Sequence, residues 1–92
     1  MTGKFAKSKA GHDSLKVYVI IKEEAEYVYL ADGVYKTMAK PKKKSKKHIQ
    51  IIHKGQDVKL TEKLLNKERV FDEEIKRAIK IYKRECGNEE GR

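Results

Sequence analysis

The 92-residue sequence has no Trp, two Phe, one Pro and one Cys. A single Cys cannot close an internal disulfide. No apolar run exceeds five residues, as in Val17–Ile21. That excludes a membrane-spanning helix, which needs about 20 apolar residues. Thr2, Gly3 and Lys4 follow Met1, where a secretory signal would place an apolar region. With the lone Cys86, this predicts a cytoplasmic protein. Apolar residues make up 38% of the chain, and a chain this short buries roughly 60–65% of its unfolded surface. One small domain is expected, without room for a deep, lidded substrate pocket.

Acids are missing from one long window. Residues 33–56 carry eight Lys and no Asp or Glu, whereas residues 23–32 carry four acids and no base. Residues 1–22 hold five Lys and one Asp, and residues 57–92 are nearly balanced, with ten bases and nine acids. The excess of +9 is therefore concentrated in the interior of the chain. A localised basic block suits a polyanion. Arg is scarce: three of the four lie after residue 76. Bidentate reading of bases, which Arg does best, is correspondingly scarce.

The first half reads as short strands. Lys16–Lys22 is rich in β-branched and aromatic residues. Alternation puts Val17, Val19 and Ile21 on one face and Tyr18 and Ile20 on the other, so this strand is central or barrel-like. Further strands are expected at 4–9, 27–30, 34–38 and 48–53, with Asp32-Gly33 as a two-residue hairpin turn. Val17, Val19, Ile21, Val28, Leu30 and Ile51 are the expected core. Tyr18, Tyr27, Tyr29 and Tyr35 could stack on bases, but packing in the core is the favoured reading. The second half changes period. A short helix is expected from Thr61 with Leu64 and Leu65. A longer one is expected with Asp72 as N-cap, a stripe of Ile75, Ala78, Ile79 and Tyr82, and Gly87 after its end. The predicted architecture is mainly β: a small antiparallel barrel over residues 1–56, a helical extension over 57–87 packed on it, and a frayed tail over 88–92.

Two segments carry the candidate chemistry. In residues 39–48 six of ten positions are Lys: Lys40, Lys42, Lys43, Lys44, Lys46 and Lys47, followed by His48. Such a row meets phosphates as point charges. The alternative is a solvated stretch that aids solubility. Tethering between two strand-like segments and the lack of a neutralising acid favour polyanion binding, read as a second basic loop. The other segment, Lys7-Ser8-Lys9-Ala10-Gly11-His12-Asp13, reads by itself as an ordinary turn.

Together these segments resemble a known family. Lys-Ala-Gly-His-Asp followed by Val-Tyr-Val-Ile-Ile is similar to the KOW motif. Asp32-Gly33-Val34-Tyr35-Lys36 through Pro41-Lys42-Lys43-Lys44 to Lys47-His48-Ile49-Gln50 resembles the matching segment of KOW-type large-subunit ribosomal proteins of archaea and eukaryotes. Small KOW-domain RNA-binding proteins of Gram-positive bacteria are similar too. The resemblance spans about residues 3–54 and implies an SH3-like barrel that binds RNA, usually ribosomal RNA, without catalysis. It makes Gly11 the motif glycine, with Lys7, Lys9 and His12 in or beside its loop. His12 stands where many members have Arg, and Leu15 where many have a second Gly.

His12, His48 and His53 have no Cys or acid at metal-ligand spacing, so no metal and no cofactor is expected. No nucleophile–base–acid set, Gly-rich phosphate loop or small-molecule site can be assembled. The expected function is docking of Lys-rich segments onto structured, most plausibly ribosomal, RNA, with no membrane partner. The competing readings are a transcription-associated KOW module that binds protein, and a general nucleic-acid-binding protein.

Overall fold

A computed structural model describes residues 1–9 and 16–85. Five strands, β1 (Phe5–Ser8), β2 (Val17–Glu23), β3 (Tyr27–Ala31), β4 (Lys42–Ser45) and β5 (Ile49–Ile52), precede two helices, α1 (Val58–Leu65) and α2 (Asp72–Glu85). All strand pairs are antiparallel, in the order β4-β3-β2-β1-β5. The edge strands β4 and β5 are joined only by a one-turn 3₁₀ helix, Lys46–His48. Four strand spacings in a flat sheet would hold these edges about 19 Å apart. A three-residue 3₁₀ turn, rising about 2 Å per residue, spans far less. The sheet must therefore curl.

β2 is apolar on both faces, as its sequence requires. Tyr18 and Ile20 join Ala6, Val28, Leu30 and Ile49 in a cluster enclosed by the curled sheet. Val17 and Val19 face the other way and join Phe5 and Ala31 against the helices. Ile75, Ala78, Ile79 and Tyr82 are the buried stripe of α2, at the spacing that puts residues on one helical face. The Tyr82 ring packs on Phe5 with centroids 4.8 Å apart. Ile21 and Ile51, expected in the core, are only partly buried. A register shift between Ile20 and Lys22 interrupts the β2–β3 ladder at Ile21, and β5, which carries Ile51, is an edge strand.

Residues 34–38 form no strand, and Asp32-Gly33 is not a two-residue hairpin turn. The Asp32 Oδ1 accepts the N–H groups of Val34, Tyr35 and Lys36 at 2.9–3.0 Å. One carboxylate thus satisfies three loop amides and closes a loop where a tight turn was expected. Gly33 has φ +82, and a β-carbon there would collide with the Asp72 carbonyl and the Lys76 side chain. The Met38 N–H donates to the Asp72 carboxylate at 2.8 Å, so the loop is seated on the start of α2. Asp72 is accordingly the first helical residue, not the N-cap. Glu74 instead reaches back to the Phe71 N–H at 3.0 Å, half of a capping box.

The strand expected at 34–38 lies later, in the Lys run itself. Lys42–Ser45 pairs with Tyr27–Leu30 of β3, with Pro41 just before it, where a missing N–H costs no ladder bond. Lys is a poor strand former, but its stem can lie on an apolar ring while the ammonium stays in water. Lys42 lies 5.9 Å from the Tyr18 ring centroid and Lys43 lies 4.5 Å from that of Tyr27. α1 begins at Val58, earlier than expected, because the Asp57 carboxylate caps the Leu60 N–H at 3.0 Å. Leu60 is its buried residue, while Leu65 is 62% exposed. Among the described residues no helix is long and apolar enough to cross a membrane. The turn expected at 10–13, Gly87 and the tail at 88–92 lie outside the described residues.

Replacing Ile75 with Ala should lower unfolding free energy by about 2–5 kcal/mol in urea titration, the cost of truncating a well-packed core residue. Gly33→Ala should cost more than about 1 kcal/mol, since its φ is incompatible with a side chain. A lowered thermal midpoint would report it.

Candidate nucleic-acid interface

The basic side chains separate by the pleat. Along β4, Lys42 and Lys44 pair with Leu30 and Val28 and share their face, while Lys43 pairs with Tyr29 and points the other way. Lys43 spreads over two rings, 4.5 Å from Tyr27 and 6.0 Å from Tyr29, and the Tyr29 ring also carries Lys22 at 5.5 Å. The Lys22 ammonium meets Glu24 at 3.8 Å. This outer face is therefore partly neutralised by its own residues.

The 3₁₀ turn brings the second basic segment to the end of β1. The Lys9 N–H donates to the His48 carbonyl at 2.9 Å, and Ser45 Oγ accepts the Lys47 N–H at 3.3 Å. Ser8, Lys9, Lys44, Lys47 and His48 line one recess of about 230 Å³. Ser8 is 4% exposed at its floor. Among the described residues no carboxylate lies within ion-pair distance of Lys9, Lys44 or Lys47. Three ammonium groups, one imidazole and one hydroxyl in a concave site can hold a phosphate: the cations supply charge, and Ser8 is a neutral polar neighbour.

Four of the residues expected in the site, Lys9, Lys44, Lys47 and His48, thus come together across nearly 40 positions of sequence. Lys42 shares their face and lies against Tyr18. Lys7 is half-buried on the β1 face that carries Phe5, away from the recess. Lys40 sits in the preceding turn, its N–H bonded to the Thr37 carbonyl and hydroxyl, each at 3.1 Å. Gly11 and His12 lie outside the described residues. The expectation of a second basic loop is corrected: four of its residues are strand β4 and the next three are the 3₁₀ turn.

Lys46 does not line the recess and is already paired. Its ammonium lies 2.7 Å from Glu23, whose other oxygen meets the Met1 amino group at 3.0 Å. The Lys46 hydrogen bond first, and the amino group second, hold the Glu23 carboxyl below the usual carboxylate range. No local signal joins Glu23 to Lys46; the β2–β3 and β3–β4 ladders together do, through Glu23–Val28 and Val28–Lys44. Ser8 carries no signal of its own in the sequence, being uncharged and set between Lys7 and Lys9.

The chain matches no protein-family model and no curated protein.

A carboxylate held ionised by a cation contributes stability above its unfolded value and loses it as pH falls through the lower folded value. Lys46→Ala should therefore raise the Glu23 titration midpoint, followed by carboxyl NMR shifts.

Proposed function

We propose that the protein is a non-enzymatic, cytoplasmic RNA-binding protein of the KOW type, which docks onto phosphates of structured, ribosomal RNA. The observation that carries this is the recess where Lys9, Lys44, Lys47 and His48 converge with no carboxylate, among the described residues, within ion-pair distance of the three lysines. Lysines in an edge strand also protect a protein against edge-to-edge pairing. That role explains β4 alone. It does not require Lys9 from β1 or Lys47 and His48 from the 3₁₀ turn to face the same hollow.

The SH3-like barrel belongs to the same proposal. A four-strand antiparallel meander, a 3₁₀ turn and a fifth strand returning to pair with β1 support it. So does an apolar cluster enclosed by the curled sheet. Lys acts as a point charge rather than a fork that reads bases. Binding is therefore shape-selective, as expected for folded RNA, and insensitive to most single base changes.

The test is a salt titration of binding to a ribosomal RNA fragment. Lys9→Ala/Lys44→Ala/Lys47→Ala should reduce the slope of log affinity against log salt by about 2–3, from roughly 0.7–0.9 per phosphate contact. Affinity should fall similarly for unrelated folded RNAs. The variant should stay folded, because none of the three side chains is in the apolar core. Unchanged slope and affinity in a folded variant would refute the proposal.

A further inference from the structure

A second basic recess lies on the other side of the sheet. Residues 75–84 of α2 contain five bases and no acid. Lys76, Lys80 and Lys83 recur at spacings of four and three, one row along the helix beside its buried stripe. Lys16, at the entry to β2, joins this row around a recess of about 480 Å³. Its rim is the loop that Asp32 closes. Like charges at these spacings weaken an isolated helix, so the row is a feature that packing does not require.

The recess also holds a ring. Tyr35 is 76% exposed, more than any other large apolar or aromatic side chain among the described residues. Core packing, the reading favoured from sequence over base stacking, does not hold for Tyr35. The Lys16 ammonium lies 5.0 Å from its centroid. Val34 beside it is 56% exposed. The loop is not free to fold inward: three amides are tied to Asp32, the Met38 amide is tied to Asp72, and Gly33 is in close contact with α2. Among the described residues Asp32 is the one acid lining the recess, against four lysines, and its Oδ1 is engaged by those amides.

We infer that this recess binds an unpaired nucleotide segment of RNA, with a base stacked on Tyr35 and flanking phosphates on Lys16, Lys76, Lys80 and Lys83. An exposed aromatic on a fixed loop within a cationic groove is the combination single strands require. An acidic peptide would use the lysines but not the ring. The inference rests on the RNA-binding reading and deepens it. Val17 pairs with Lys7, so Lys16 and Ser8 follow at the same end of the β1–β2 pair. The two recesses thus flank that end, and an RNA with a duplex and a single-stranded extension could occupy both.

The experiment uses the full chain and two labelled probes, an oligouridylate of about ten nucleotides and a blunt RNA hairpin, followed by fluorescence anisotropy. Tyr35→Ala should weaken oligouridylate binding roughly fivefold to 100-fold, the range for loss of one base–aromatic stack. Tyr35→Phe should retain it, and hairpin binding should be unchanged in both. Lys76→Ala/Lys80→Ala/Lys83→Ala should lower the oligouridylate salt slope by about 2. Wild-type affinity in both Tyr35→Ala and the triple variant would overturn the inference. In that case a loss in the Lys9/Lys44/Lys47 variant would leave the first reading standing. Equal loss for both probes in Tyr35→Ala, or displacement by polyglutamate as readily as by RNA, would also overturn it. Absence of wild-type binding to both probes would sink both readings, and absence of binding to the oligouridylate alone would overturn this inference only.

Discussion

Val19 and Ile20 are neighbours in sequence, and both are fully buried, yet they belong to different apolar clusters. That arrangement constrains the molecule. A strand apolar on both faces must be covered twice, and a chain of this size has little material with which to do so. The curled sheet covers one face of β2 with side chains from its own strands. The amphipathic α2 covers the other. Losing either cover would expose a row of Val, Ile or Tyr, so helix and sheet are energetically one unit.

Curling has a second consequence, which is the candidate site. It folds the β4–β5 connection back toward the end of β1, and it is there that Lys9, Lys44, Lys47 and His48 meet. The same geometry carries Lys46 to Glu23. Neighbouring lysines in one run therefore have different surroundings: Lys43 rests on tyrosine rings, Lys46 pairs with Glu23, and Lys44 and Lys47 face a hollow with no acid among its described lining residues. A count of charge along the chain treats these as equivalent. Desolvation, ring contact and pairing distinguish them.

The C-terminal third shows the converse. Its charges nearly cancel in sequence, but they are sorted along α2. Asp72, Glu73 and Glu74 occupy the first turn, where the helix dipole favours them, and the bases follow. The acids are also used structurally: Asp72 holds Met38, and Glu74 caps Phe71 and meets Lys63 of α1 at 2.7 Å. The lysines beyond them are left beside the loop that presents Tyr35.

Features that depend on near neighbours are legible in the residues alone. Period-two alternation over Val17–Ile21 specified two apolar faces, and the spacing of Ile75, Ala78, Ile79 and Tyr82 specified the buried side of α2. The density of lysine over residues 40–47 marked the segment on which the candidate site is built. The remaining features depend on partners distant in sequence and emerge only on folding. Asp32-Gly33 carries the local signal of a tight hairpin. Its amides instead bond to Asp32, and α2 fills the space beside Gly33, so the next strand is displaced into the lysine run. Lysine's weak strand preference gives no warning of this, because the compensating tyrosine rings lie on other strands. Tyr35 and Tyr18 look alike in an alternating pattern; one is buried in the sheet and the other is held out by a loop. Whether a lysine faces an acid, a ring or an open recess is set by the ladder that brings strands together, and no local pattern of residues encodes that.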